Sequence, residues 1–149
     1  MDRKAMEALW EKHIKAEFVD HDVDATLATM TEDAFVRNMP VGTGGSGKAG
    51  VREFYNGFVP STEGHRMTLS KRTVGDDALV DKLHYGFVHD RRADWLAPGV
   101  PPTGHTIELD IVAVVLFRDG KIAGERIYWD HASVLRQMGL LRSDVGAAG

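Results

Sequence analysis

The hydrophobic period of the sequence changes once, near residue 64, and this change constrains the fold more than any other feature. Before it, apolar residues recur at three- and four-residue steps, as in amphipathic helices, with Arg3–Phe18 the strongest example. After it, polar and apolar residues alternate in four segments, Met67–Val74, Ala78–Val88, Ile107–Phe117 and Lys121–His131. This order predicts an α+β fold with helices packed on one face of a strongly curved, mainly antiparallel sheet that encloses a pocket.

Capping residues and turn sequences predict where the remaining helices and strands begin and end. Asp22 predicts the start of a second helix that runs through Met30 and forms a hairpin with the first. The following segments are a short strand at Ala34–Met39, a glycine-rich loop at Val41–Gly50 and a third helix from Val51 to near Pro60. Turn sequences at 75–77 and 119–120 predict antiparallel hairpins. The Pro- and Gly-rich segment Trp95–Gly104 predicts an ordered loop that can close over a ligand.

Length and composition indicate one domain. The chain has 149 residues, of which 43% are hydrophobic and 27% charged, as in an ordinary globular domain. We place this domain at residues 1–142 and expect a flexible tail at 143–149. There is no cysteine, which excludes disulfides, thiolate metal sites and a cysteine nucleophile and fits a cytoplasmic location.

Charge and hydropathy exclude two classes of partner. The net charge is −4 and the basic residues are scattered, which argues against binding to nucleic acid. The longest uncharged apolar run, Ile111–Phe117, is too short to cross a bilayer. The N-terminal residues carry charges within every apolar stretch, so they resemble neither a signal peptide nor a membrane anchor.

Two polar residues fall on the apolar face of the first helix. At ~100° per residue the stripe that contains Trp10 also contains His13 and Glu17. These two residues are one turn apart, so the imidazole and the carboxylate can touch. Burial raises the pKa of a carboxyl group and a protonated histidine lowers it, so the pair can serve proton transfer. Alternatively, the pair only satisfies hydrogen bonds of the backbone or of water.

The last strand carries a second polar set. Alternation places Arg126, Tyr128 and Asp130 on one face, together with Ile122 and Gly124. The other face carries Ala123, Glu125, Ile127, Trp129 and His131. A guanidinium, a phenol and a carboxylate in a row can orient and deprotonate an organic ligand. The same spacing also fits an Arg–Asp pair on a solvated or subunit-contact face.

The glycine-rich loop comes within one residue of a phosphate-binding motif. Gly42–Ala49 fits the pattern GxxxxGK[ST] except at its last position, where Ala49 has no hydroxyl for magnesium. The antiparallel pattern also disagrees with the parallel sheet that this motif requires, so we expect glycines that serve tight turns. His84 and His89 lie on opposite faces of one strand, and no HxH or HExxH spacing occurs, so we expect no metal site.

Three segments of the sequence carry a resemblance to a known family. They are HDVDATLATMTEDAFVRNMP at 21–40, TGGSGKAGVREFY at 43–55 and PPTGHTIELDIVAVVLFRDGKIAGERIYWDHASVLRQMGLL at 101–141. With the predicted element order, they resemble the SnoaL-like polyketide cyclase and ketosteroid isomerase-like branch of the nuclear transport factor 2-like superfamily. The similarity covers residues 5–141, most closely to an uncharacterised bacterial group that shares the strings PPTG, IYWD and ASVL.

The resemblance implies a cone-shaped fold with one apolar pocket per subunit and a homodimer formed across the outer face of the sheet. Cyclase-like and epoxide hydrolase-like members place an acid/base aspartate at the end of the last strand, which Asp130 matches here. Ketosteroid isomerases have carboxylates where this chain has Asn38 and Ala113, so their usual mechanism is not implied. The Arg-x-Asp unit of epoxide hydrolases is not reproduced either, because Glu108-Leu109-Asp110 lacks the arginine.

Together these features predict a cofactor-independent enzyme that performs acid/base chemistry on a small apolar carbonyl or epoxide compound, by isomerisation, cyclisation or hydration. Asp130 would act as the base, Tyr128 and Arg126 would hold the oxygen that gains charge, and His13 with Glu17 would relay a proton. The expected pocket residues are Trp10, Phe54, Phe58, Phe87, His89 and Trp95. The alternative is a non-catalytic binding protein with the same cavity.

Overall fold

A computed structural model describes residues 1–142 and residue 144. Its helices are α1 (Arg3–Phe18), α2 (Val23–Ala28), α3 (Gly47–Ser61) and α4 (His131–Gln137). Its strands are β1 (Met30–Asn38), β2 (Thr43–Ser46), β3 (Arg66–Val74), β4 (Ala78–Val88), β5 (Thr106–Arg118) and β6 (Lys121–Tyr128). Apart from Asp144, the predicted tail at 143–149 lies outside the described residues.

The six strands form one curved, unclosed sheet in the order β2-β1-β6-β5-β4-β3. Strands β3 to β6 pair antiparallel with their neighbours, whereas β1 pairs parallel with β6. The β5–β6 turn has left-handed backbone angles at Asp119 and Gly120, with φ of 53° and 72°, as a two-residue hairpin turn requires. The α+β fold with helices on a curved, mainly antiparallel sheet is confirmed.

The second helix is shorter than predicted and the first strand begins earlier. Asp22 caps α2 by accepting a hydrogen bond from Ala25 N. The helix ends at Ala28 because Thr29 acts as its C-cap and donates its hydroxyl to Thr26 O. Threonine hydroxyls that bond to nearby backbone oxygens compete with continued helix. Met30, predicted as the helix end, is the first residue of β1.

The glycine-rich segment forms an edge strand, β2, where the sequence predicts only a loop. A Cβ atom at Gly44 would lie 1.9 Å from Val36 O, and one at Gly45 would lie 2.2 Å from Gly50 O. Both distances are far below any real Cβ contact. The glycines therefore let β2 approach β1 and the start of α3, which is a structural role.

The last strand ends earlier than predicted. β6 stops at Tyr128, and a fourth helix that the sequence reading missed follows at His131. Asp130 is the N-cap of this helix and accepts a hydrogen bond from Ser133 N at 3.2 Å. Aspartate is a preferred N-cap residue because its carboxylate satisfies an unpaired backbone N–H in the first turn.

The buried apolar residues form two clusters on the inner face of the sheet. One includes Met6 and Trp10 of α1, and the other includes Trp95 and Trp129. Three half-buried side chains, Phe54, Phe58 and Ile127, pack against both clusters. Among the described residues, no helix is long and apolar enough to cross a membrane.

Candidate active site

A cavity of about 60 Å³ lies where the two apolar clusters meet. Helices α1 and α3 cover it, the inner face of the sheet forms its floor, and most of its wall is apolar. A buried water needs roughly 10–15 Å³ of such space, so the cavity holds several waters or a small organic molecule. The polar side chains in its wall are Glu17, Asn38, Tyr55 and Glu125, with the ring edges of Trp95 and Tyr85.

A buried polar cluster occupies one end of this cavity. Tyr55 donates its hydroxyl to Glu125 Oε2 at 2.7 Å. His13 Nε2 lies 3.2 Å from Tyr55 Oη and 3.6 Å from both Glu17 Oε2 and Glu125 Oε2. His13 is fully buried, and Glu17 and Glu125 are only 5% and 2% exposed. Two carboxyl groups, a phenol and an imidazole therefore share one site that is closed to bulk water.

The hydrogen bonds define the protonation of His13. Thr29 donates its hydroxyl to Thr26 O at 2.6 Å, so it must accept at 2.7 Å from His13 Nδ1–H. The hydroxyl proton of Tyr55 is already used on Glu125, so a bond between Tyr55 and His13 requires Nε2–H to donate. Both ring nitrogens are then donors, and His13 is an imidazolium ion.

The pKa values agree with this assignment. Burial by itself lowers the pKa of His13, but its interactions with the carboxyl groups, above all that of Glu125, outweigh burial and raise it. Burial and the neighbouring Glu125 raise the pKa of Glu17 to about 8, although His13 and Tyr55 act in the opposite direction. Burial also raises the pKa of Tyr55 well above its usual value. At neutral pH, Glu17 is therefore a neutral acid.

A second polar region of the cavity wall contains unpaired atoms. Asn38 Oδ1 and Trp95 Nε1 are buried and have no hydrogen-bond partner among the described residues. The two residues are linked through Thr43, which accepts from Asn38 Nδ2 at 3.1 Å and donates to the carbonyl oxygen of Trp95 at 2.7 Å. The cavity thus has one polar end that is satisfied and one that is not.

An outer groove of about 490 Å³ lies beside the cavity. It runs past Gly57 and Arg92, and its wall shares Phe54, Phe58 and Trp95 with the inner cavity. The rings of Phe58 and Trp95 meet edge to face at 5.3 Å. These three aromatic side chains separate the cavity from the groove.

The profile of the SnoaL-like domain matches residues 10–125, which is most of the chain. The protein belongs to the SnoaL-like family. Comparison with curated proteins gives no match.

Solved structures share the fold of this SnoaL-like protein. TsrD from Streptomyces laurentii has a TM-score of 0.75 and 21% identity over 95% of this chain and 99% of that chain. AclR from Streptomyces galilaeus, proposed to be a hydroxylase, has a TM-score of 0.73 and 16% identity over 95% of this chain and 89% of that chain. A proposed polyketide cyclase from Xanthomonas campestris pv. campestris has a TM-score of 0.67 and 21% identity over 91% of this chain and 98% of that chain. At these identities the likeness shows the fold alone.

The inward position of His13 and Glu17 follows the sequence expectation, and the structure adds their surroundings. Glu17 lines the cavity, whereas His13 lies behind it and reaches it through Tyr55. Four of the expected pocket residues also line the cavity, namely Trp10, Phe54, Phe58 and Trp95. Trp10 is fixed by a 2.8 Å hydrogen bond from Nε1 to the buried carboxylate of Asp81.

Two expected pocket residues lie elsewhere. Phe87 is buried in the second apolar cluster, where it stacks on His65 with ring centroids 4.6 Å apart. His89 is buried against Thr103, whose N–H donates to its Nδ1 at 3.3 Å. Neither residue belongs to the cavity wall, because both lie near the end of β4, beyond Tyr85 and Trp95, which form the wall there.

The structure does not bring the three polar residues of the last strand to the cavity. Asp130 is exposed and caps α4, and Tyr128 is 42% exposed. Arg126 packs its guanidinium over the ring of Phe35 at 4.9 Å. Arg126 and Tyr128 lie on the face of β6 that points away from the helices, and Asp130 lies beyond the end of the strand, so the expectation that the three surround a ligand is not met.

The cavity uses the opposite face of β6. Glu125 and Ile127 line it, and Trp129 belongs to the apolar cluster beside it. The sequence placed Glu125 on this face without indicating a role for it, and no role was predicted for Tyr55 in the third helix. The available signal was a lone carboxylate between Ala123 and Ile127 on the more apolar face.

No group of three or more potential ligands among residues 1–142 and 144 is arranged to hold a metal ion. In the buried polar cluster, the imidazole of His13 and the hydroxyl of Tyr55 lie between the carboxyl groups of Glu17 and Glu125. The chemistry that the arrangement supports directly is proton transfer within an apolar cavity.

Proposed function

We propose that this SnoaL-like protein is a cofactor-independent enzyme that performs acid/base chemistry on a small, largely apolar carbonyl or epoxide compound. The observation that carries the proposal is the pair of carboxyl groups, Glu17 and Glu125, in the wall of one apolar cavity. Their surroundings differ, since Tyr55 donates to Glu125 and the pKa of Glu17 is raised to about 8. Two carboxyl groups in such different surroundings are suited to act as acid and base.

In this proposal Glu17 is the general acid and Glu125 the general base. Glu125 removes a proton from the carbon next to a carbonyl group, and Glu17 delivers its own proton to the carbonyl oxygen, so the substrate becomes an enol with no net change of charge. In an isomerisation, Glu125 would return its proton to another carbon while the enol hydroxyl gives its proton back to Glu17. In a cyclisation, the enol carbon would attack a second carbonyl group, Glu125 would protonate the oxygen of that group, and the enol hydroxyl would give its proton back to Glu17.

His13 is a positioning residue in this scheme. It does not line the cavity, but its imidazolium lies within 3.6 Å of both carboxyl groups. Its positive charge stabilises the carboxylate that remains when Glu17 has given up its proton. Thr29 fixes the ring by accepting from Nδ1.

The comparisons support a small-molecule role at a coarser level. One structural neighbour is proposed to be a polyketide cyclase, and another has been crystallised with polyporic acid. Both proteins are 21% identical to this chain. These neighbours agree with an organic ligand of the cyclase type.

The proposal is tested by measuring turnover of ketones, lactones and epoxides with the wild type and two variants, Glu17→Gln and Glu125→Gln. Loss of a positioned acid or base lowers rates by roughly 10²–10⁴-fold, and we expect at least ~100-fold in kcat for each. We also expect kcat/KM to fall above about pH 8, where Glu17 ionises.

A matched control is Glu108→Gln, which removes an exposed carboxylate from the opposite face of the sheet. This variant should keep full turnover. If Glu17→Gln and Glu125→Gln also kept full turnover of a substrate that the wild type converts, the acid/base assignment would be wrong.

A non-catalytic binding protein is the second candidate, and one observation favours it. The hydrogen bonds within the buried polar cluster satisfy His13 and Tyr55 without any ligand, as in a structural polar network. In that case the same compounds would raise the melting temperature by binding the folded state, with no turnover.

A further inference from the structure

Two atoms in the cavity wall are left without a hydrogen-bond partner. Asn38 is 1% exposed and Trp95 is 6% exposed, so neither Asn38 Oδ1 nor Trp95 Nε1 is open to bulk water. Leaving a buried polar atom unpaired destabilises a protein by roughly 1–3 kcal/mol. Both residues line the same cavity, and Thr43 forms a hydrogen bond to each of them.

The orientation of the Asn38 amide is fixed by its neighbour. Thr43 has one hydroxyl proton, and it donates this proton to the carbonyl oxygen of Trp95 at 2.7 Å. Thr43 Oγ1 can therefore only accept from Asn38, which places the NH₂ group of Asn38 on Thr43 at 3.1 Å. The amide oxygen is left as the unpaired atom, so the site offers one acceptor, Asn38 Oδ1, and one donor, Trp95 Nε1–H.

A hydroxyl group complements this pair, since it donates one proton and accepts another. We propose that Asn38 and Trp95 form a hydroxyl-binding subsite, in which a ligand hydroxyl donates to Asn38 Oδ1 and accepts from Trp95 Nε1–H. A carbonyl group would satisfy only Trp95, and an ammonium group would satisfy only Asn38. An apolar group would leave both atoms unpaired.

The subsite narrows the class of ligand, on the basis of the proposed function. In that proposal Glu17, which also lines the cavity, donates its proton to a carbonyl oxygen of the ligand. Phe54, Phe58 and Tyr85 supply apolar ring surface between the polar regions. The fitting ligand is a small cyclic hydroxy-ketone, with its carbonyl group toward Glu17 and its hydroxyl group toward Asn38 and Trp95.

The size of the cavity sets an upper limit. About 60 Å³ accommodates a single ring. A larger ligand must extend past the rings of Phe58 and Trp95 into the outer groove beside Gly57.

The experiment compares the three hydroxycyclohexanones with the three methylcyclohexanones of the same substitution, which match them in size. Affinities are measured by calorimetry with the complete wild-type protein. We expect at least one hydroxy compound to bind about tenfold or more tightly than its methyl counterpart, because a site built for a hydroxyl leaves its own polar atoms unpaired with the methyl compound. Equal or weaker binding of all hydroxy compounds overturns the subsite.

Two variants assign the preference to the subsite. Asn38→Leu and Trp95→Phe each remove one of the unpaired atoms, and each should abolish most of the tenfold preference. Ile111→Val changes the same cavity without touching its polar atoms and should retain the preference. A preference that survives in both subsite variants overturns the proposal.

The melting temperature of the Asn38→Leu variant provides a second measurement, which distinguishes ligand binding from a structural role of Asn38. If Asn38 were a structural residue, Asn38→Leu would lower the melting temperature of the unliganded protein. We expect the melting temperature to change little, because removal of the unpaired acceptor offsets the loss of the bond from Asn38 to Thr43, and Thr43 keeps its bond to Trp95. Since these measurements record binding and stability and not turnover, the subsite and the acid/base proposal can fail separately.

Discussion

The carboxyl group of Glu17 lies in a cavity wall that is almost entirely apolar, within 3.6 Å of an imidazole and close to a second carboxyl group. Ionisation of Glu17 would place two negative charges beside one positive charge in a region that excludes water. Retention of the proton avoids a further buried negative charge beside Glu125. The raised pKa of Glu17 is therefore a consequence of the fold and has an effect on stability that can be measured.

We expect the free energy of unfolding to fall as pH rises. The pKa of Glu17 is about 8 in the folded protein against an ordinary 4.5, so above 4.5 the native state holds a proton that the unfolded chain has released. The raised pKa of His13 acts in the same direction. Thermal unfolding should show a melting temperature that falls as the pH rises toward about 8, where Glu17 ionises in the folded protein, with no further fall due to Glu17 above that pH.

The Glu17→Gln variant separates the two contributions. Glutamine cannot ionise, so the variant should show a flatter profile that retains only the part due to His13. An unchanged slope would show that Glu17 is already charged in the native protein.

Asp130 permits a separate test because the structure gives it a definite structural contact, the 3.2 Å bond from Ser133 N. Asp130→Ala should lower the free energy of unfolding by about 1 kcal/mol, whereas Asp130→Asn should preserve the cap. Because Asp130 is exposed and outside the cavity wall, both variants should retain turnover. Loss of turnover in a folded Asp130→Asn protein would return the catalytic role to this aspartate.

Strand β2 depends on glycines for its position against β1 and α3. At Gly45 an added methyl group would lie 2.2 Å from the backbone oxygen of Gly50 and 2.8 Å from Val51 N. Both are backbone atoms that cannot move without displacing the start of α3. Gly57, in the middle of α3, has nothing within 4 Å of an added Cβ.

These two glycines form a matched pair for substitution by alanine. Gly45→Ala should lower the free energy of unfolding by more than ~1 kcal/mol, because the native backbone has no room for the methyl group. Gly57→Ala should raise it by up to about 1 kcal/mol, since alanine is the better helix former. Urea unfolding measures both, and a neutral Gly45→Ala would show that β2 is not held tightly against α3.

Across the whole molecule, the curved sheet divides the strand residues into two sets with different surroundings. The inner face carries the cavity, and the opposite face carries ion pairs of His84 with Glu108 and Asp110, beside the exposed Val88 and Tyr128. The homodimer implied by the family would form on this opposite face. It stays a prediction for this chain.

Sedimentation velocity tests the predicted homodimer by measuring the mass of the protein in solution. We expect twice the mass of one chain, and substitution of Val112 by arginine on the outer face should shift the protein toward a single chain. A single-chain mass for the wild type at micromolar concentration would contradict the predicted dimer.

The order of the elements was predictable because periodicity is a local property. The alternation in β4 and β5 and the stripe of α1 gave bounds within one residue of the observed ones. β2 and α4 were not predictable in this way. β2 has four residues, two of them glycine, and needs β1 as a partner, while α4 is a short helix after a residue that alternation assigned to the strand.

For the candidate site, the sequence determined that His13 and Glu17 point into the core, since helical spacing fixes which residues share a face. It also supplied the aromatic residues of the wall, among them Phe54 and Trp95. It could not decide which face of β6 meets the helices, because both faces of that strand carry polar and apolar residues. Only the sheet, which pairs Glu125 with Val36 and Val115 on two neighbouring strands, places Glu125 inside, and only the start of α4, which Asp130 caps, keeps Asp130 outside the cavity.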